Sequence, residues 1–240
     1  TSPGFYASCL DNIVAACVGT GTKGIIANIP DVTSLPFFNT IPYNGLVLSR
    51  QSLVDSINYF MQTFFQLPFT YTLGANPFLI PDPTSPHPLF KVRQMVPGEL
   101  VLLTVPQDSM KCFGMGIISS ITHVPWPIPN QFVLTLDEIN NIQTATTAYN
   151  QKISDMAGLY GLALVDMNTK YKGLKDGIVW DGIKMNTKYV TGGVYSLDGI
   201  HLNPLGNALT ANYFIESINA EFGSTIPYLD ITKYPGVLFP

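Results

Sequence analysis

Charge is scarce in this sequence. Lys, Arg, Asp and Glu make up 12% of its 240 residues, and 12 basic against 16 acidic side chains leave a formal net charge of −4. Lys and Arg nowhere cluster, which excludes the electrostatic footprint of a nucleic-acid binder and a polybasic membrane patch. Cysteine is scarce too, and Cys9, Cys17 and Cys112 do not make a disulfide framework. Cys9 and Cys17 fall on one helical stretch, about 12 Å apart along its axis and beyond the roughly 7 Å limit on Cα separation for a bridge. Both read as buried apolar residues with free thiols. The lack of any CxxC and the presence of only three His argue against a structural metal site. Long apolar runs are missing as well: "LVLLTV" at 100 to 105 is far shorter than the roughly 20 residues that span a bilayer, so the chain reads as soluble. No charged-then-apolar signal segment opens it, and a first residue of Thr leads us to expect that processing or truncation has removed something before it.

What is abundant is apolar matter. Hydrophobic residues account for 46% of the chain and aromatic ones for 12%, enough for one sizeable domain over residues 1–240 with a substantial core. Ser2 and Pro3 form a helix start, followed by Leu10, Ile13, Val14, Cys17 and Val18 at helical spacing, and Gly19 or Gly21 ends the helix. "GIIANIP", 24 to 30, reads as a short strand covered on both faces. Thr135 with Glu138 is a capping-box pattern, and Ile139, Ile142, Thr146, Tyr149, Ile153 and Met156 alternate steps of three and four. "LALVDM", 162 to 167, is the next strand. A third helix starts at Asn203 and Pro204, with Ala208, Ala211, Ile215, Ile218 and Phe222 on one stripe.

This alternation predicts an α/β fold, with a parallel sheet between helical layers. Two core strands are too few for such a sheet, and an opening helix lacks the strand that feeds it in a βαβ unit, so the fold reads as entered in its middle. Residues 31–134 interrupt the alternation as an insertion or lid-like subregion, holding 13 of the 19 prolines and many aromatics. Within it, "SRQSLVDSINYFMQTFF" reads as a helix and "NPFLIPD" with "FKVRQMV" as paired strands. "ELVLLTV" is ambiguous between strand and helix.

His is the usual general base near neutral pH, and there are three. His87 sits between prolines with no acid nearby. His123 has Ser119 and Ser120 close by, but no orienting acid, and "GMGIISS" does not fit a nucleophile elbow. His201 is better placed: Gly199 permits a tight turn that lets Asp198 reach the imidazole, and the helix start at Asn203 anchors the turn. Asp31, after the first strand, reads as a turn acid or as lining a mouth, Asp166 similarly ends a strand, and Asn203 reads as a helix cap.

"SLDGIHLNPLGNALTANYFIESIN" closely resembles the last block of the SGNH, or GDSL-type, esterases and lipases, in which Asp and His of a D-x-x-H motif complete a triad with an N-terminal Ser. "GTKGIIANIPDVTSLPFF", "RQMVPGELVLLTVP" and "KYVTGGVYSLDGIHL" are similar to a bacterial envelope branch of that family. The resemblance implies His201 as base and Asp198 as its orienting partner. It also implies a flavodoxin-like three-layer α/β/α fold, incomplete at the N-terminus and lacking about three strands of a five-stranded sheet. The GDS block with the nucleophile and the G-x-N-D block have no match here, and both would precede the helix at 3 to 18. The expected function is carboxylic ester hydrolysis on an acyl lipid or acylated glycan, with no cofactor and no nucleic acid. The sheet would be completed by an N-terminal segment of the same protein or by another copy, and the location would be cell envelope or secreted. The alternative is a non-catalytic envelope binding protein on the same fold.

Overall fold

In the computed structural model, which describes residues 1–19 and 21–237, the Ser2 side chain accepts a hydrogen bond from the Phe5 amide and Pro3 opens α1 (Pro3–Val18). Pro costs nothing there, because first-turn N–H groups have no intrahelical acceptor. Only Val14 of this helix is buried, in a small cluster with Ala157 and Leu162. Leu10 and Val18 pack against that cluster, while Phe5 and Ile13 are exposed. Cys9 and Cys17 are therefore not buried: both are exposed free thiols, as is Cys112. They lie in steps of four with Phe5 and Ile13, on a side of the helix that the packed stripe leaves outward.

Strand β1 (Ile25–Ala27) follows, and its three residues are half-buried, not covered on both faces as expected. After it come the short helix α2 (Pro36–Asn39), β2 (Leu46–Leu48), α3 (Gln51–Asn58) with a π-helical continuation Tyr59–Phe64, β3 (Gly74–Asn76), β4 (Leu79–Pro81) and β5 (Val92–Gln94). Then come β6 (Leu100–Val101), α4 (Gln107–Phe113), β7 (Ile117–Ile118), β8 (Pro125–Trp126) and β9 (Val133–Leu134). The strands pair antiparallel as β2 with β3, β4 with β5, β6 with β9 and β7 with β8. Pro81 in β4 and Pro125 in β8 have no N–H to give a ladder.

Among the described residues, 38–139 form one compact unit, and those of 1–37 with 140–237 form the other. The first of these has two apolar clusters of its own, one around Met61, Leu67, Tyr71 and Leu79, the other around Ile80, Met95, Val101 and Ile128. Its one deeply buried carboxylate, Glu99, receives the Arg93 guanidinium and the Val96 amide.

Helix α5 (Leu136–Tyr160) begins with the capping box seen in the sequence: Glu138 accepts from the Thr135 amide at 2.8 Å and Thr135 Oγ1 from the Glu138 amide at 3.4 Å. It leads to β10 (Ala163–Val165), which pairs parallel with β1 in the register Ile25 to Ala163 and Ala27 to Val165. Among the described residues, β1 has no other strand partner. Helix α6 (Met167–Asp176), a hairpin of β11 (Ile178–Trp180) with β12 (Ile183–Met185), and α7 (Pro204–Phe222) complete the unit.

The buried face of α7 is Leu205, Ala208, Leu209, Asn212 and Tyr213. Of the stripe expected from the sequence only Ala208 is fully buried, because the first turns of α7, and not its length, pack on β10 and the main core. The class is mixed α/β. No helix among the described residues is long and apolar enough to cross a membrane.

Candidate functional site

The turn after β12 is built on the backbone. Tyr195 and Leu202 form an antiparallel bridge, and the Ser196 amide donates to the His201 carbonyl at 2.8 Å, closing the loop between them. Gly199 has φ 72°, a left-handed conformation that side chains resist, and its amide reaches the Ser196 carbonyl at 3.0 Å. This turn folds Asp198 back on its successors. Its Oδ1 accepts from the Ile200 and His201 amides at 2.9 Å each and from Ser196 Oγ at 2.6 Å. Its Oδ2 meets His201 Nδ1 at 2.6 Å.

These contacts decide the protonation pattern. The Ser196 hydroxyl foremost, then the His201 ring and the two amides, hold the Asp198 carboxyl well below the usual carboxylate range. An ionised carboxylate only accepts, so the proton of a neutral imidazole sits on Nδ1 and leaves the Nε2 lone pair open. The His201 side chain is 80% exposed, and no hydroxyl among the described residues is bonded to its ring. Nε2 therefore faces solvent and any reactant brought to it.

The loop is anchored from three sides. Tyr189 Oη donates to the Leu197 carbonyl at 2.6 Å, and the Phe37 amide, downstream of β1, donates to the Gly199 carbonyl at 3.0 Å. Asn203 caps α7 by accepting from the Gly206 amide at 2.9 Å, while its Nδ2 donates to the carbonyls of Gly193 and Tyr195. Gly206 is required here, since a Cβ would stand 2.2 Å from the Val194 carbonyl oxygen.

The remaining candidates have structural partners. His87 Nδ1 accepts from the Leu89 and Phe90 amides and its ring stacks on Phe90, so it shapes a turn. Ser119 Oγ accepts from the amides of Ile121 and Thr122, and Ser120 Oγ donates to the Cys112 carbonyl, so neither serves His123. Asp31 accepts from the Thr33 amide and hydroxyl in a turn, and Asp166 caps α6 through the Thr169 amide. Burial pulls the Asp166 carboxyl upward, but bonds from Thr169 and Asn28 and the charge of Lys172 outweigh it and leave it lowered. No group of three or more His, Cys, Asp or Glu among the described residues is placed to hold a metal ion.

A second feature, Asp31 apart, escaped the sequence reading. Gln143, Thr146, Thr147, Asn150 and Gln151 line one wall of a cavity of about 580 Å³. Their spacing, i, i+3, i+4, i+7 and i+8, is one helical face, and it is legible in "QTATTAYNQ" once polar residues are tracked as apolar ones are. The other walls are Asn28 and Asp31 downstream of β1, and Asp166, Asn168, Thr169 and Lys172 downstream of β10. The cavity thus lies at the carboxyl ends of the two parallel strands, where open α/β sheets bind ligands.

No family model, no curated protein and no solved structure matches this chain.

Proposed function

We propose that this chain carries the acid–base half of a serine esterase of the SGNH type, on a flavodoxin-like α/β/α framework to which β1 and β10 contribute. The observation that carries the reading is the 2.6 Å contact between Asp198 and His201 Nδ1, with Nε2 open to solvent. In this scheme Nε2 takes the proton of a serine hydroxyl as that oxygen attacks the ester carbonyl. The imidazolium, steadied by Asp198, then protonates the departing alcohol. Water, deprotonated by the same nitrogen, releases the acid and restores the serine. The resemblance implies that the serine belongs to a segment outside residues 1–240 and that the protein acts in the cell envelope or outside the cell.

The test is made on the complete gene product. A serine-reactive fluorophosphonate should label it, and both His201→Ala and Asp198→Asn should lower kcat on a nitrophenyl ester, the latter by up to roughly 10⁴, the loss seen when a triad Asp is neutralised. His87→Ala and His123→Ala should change kcat little. Absence of labelling together with absence of turnover would reject catalysis and leave a binding protein on the same framework.

A further inference from the structure

We infer that the polar cavity at the carboxyl ends of β1 and β10 is a binding site for a neutral saccharide. Ligand cavities of this volume are usually lined by apolar and aromatic side chains with a few polar groups. Here every lining residue is Asn, Gln, Thr, Asp or Lys. Such a wall has no aliphatic or aromatic residue to bury an acyl chain or a ring against, and it would leave amides unpaired if one entered. One lysine against two aspartates gives the lining a net charge of 1 − 2 = −1, which disfavours a phosphate or carboxylate ligand. A ligand rich in hydroxyls, each able to donate and accept, fits both facts.

Part of the lining is already committed, and that commitment orders the rest. Asn150 accepts from the Ile29 amide and donates to the Ile29 carbonyl, at 2.8 Å each. Asn168 Nδ2 also donates to that carbonyl, and Asn28 links Asp166 Oδ1 to the Asn168 amide. These bonds lock the strand ends to α5 and α6. The side chains of Thr146, Thr147, Gln143 and Lys172 line the same cavity without a hydrogen bond or ion pair among the described residues. They present hydroxyl, amide and ammonium groups from rigid helices, as a binding wall should.

The cavity and the His201 turn are joined by one segment: Asp31 lines the cavity, and the Phe37 amide further along holds the Gly199 carbonyl. That is a link along the chain, and none of the cavity's lining residues belongs to the His201 turn, so the saccharide site stands apart from the hydrolase reading.

The experiment titrates the complete protein with xylobiose, maltose and N,N′-diacetylchitobiose, and separately with octanoate, following side-chain amide signals by NMR. At least one disaccharide should shift the amides of Gln143, Asn150 and Gln151. Thr147→Val and Lys172→Met, both exposed, should each weaken that binding about fivefold, the loss of one hydrogen bond, without moving the thermal midpoint. Octanoate should leave these signals unmoved. Saccharide binding should also survive His201→Ala, so retained binding without fluorophosphonate labelling would reject the hydrolase reading and keep the site. The inference is overturned if none of the three disaccharides perturbs these amides, if octanoate does so in their place, or if both variants bind as tightly as the natural chain.

Discussion

Asp198 owes its low proton affinity to four donors, of which the Ser196 hydroxyl contributes most. A carboxyl whose folded value is depressed stabilises the fold above its unfolded value, near 3.9, and loses that contribution as pH falls through the folded value. A ¹³C titration of the Asp198 carboxyl should therefore give a midpoint below the ordinary range, and Ser196→Ala should raise it. A midpoint at the ordinary value would mean that the turn does not hold in solution. The thiols offer a second test at this scale. Because Cys9, Cys17 and Cys112 are all exposed, the native protein should react with three equivalents of a thiol reagent before any denaturant is added. Fewer would show that a thiol of α1 or of α4 is covered.

Between elements, one device recurs. An asparagine on a helix turns its amide to extended backbone and satisfies both an N–H and a C=O, as a neighbouring strand would. Asn58 does this for Tyr71, Asn150 for Ile29, Asn212 for Leu229 and Asn219 for Ile226. The cost of losing such an amide depends on whether water takes its place. Asn212 is fully buried, so Asn212→Ala should cost about 3 kcal/mol in urea unfolding, from a cavity plus two unpaired groups. The bonds of Asn219 are exposed, and Asn219→Ala should cost less than about 1 kcal/mol, because solvent replaces it. Equal losses at the two positions would refute the account.

At the scale of the molecule, each apolar cluster lies wholly within one of the two compact units. Leu209 and Met61 are both almost completely buried, one in each unit. Their replacement by Ala should cost about 2 to 5 kcal/mol apiece. Hydrogen exchange should show the lost protection in residues 1–37 and 140–237 for Leu209→Ala and in residues 38–139 for Met61→Ala. Protection lost evenly across the chain in either variant would show the cores to be one cooperative body.

Local chemistry was written in the sequence wherever it acts within a few residues. The Ser2 cap with Pro3, the Thr135 and Glu138 box, the Asn203 cap and the Asp198 to His201 turn each depend on neighbours three or four positions apart, and each formed as its residue types require. The pairing of β4 with β5 acts over a longer span and was legible from its pattern, two strand-like runs flanked by turn residues. Tertiary structure alone decided which side of an apolar helix faces inward. On α1 nearly every position is apolar, so periodicity does not distinguish Val14 from Cys17, and only packing against Ala157 and Leu162 buries the one and exposes the other. It also decided the polar cavity. Asn28, Asn150 and Asn168 are more than a hundred residues apart at the extreme, and only the parallel pairing of β1 with β10 brings them to one place.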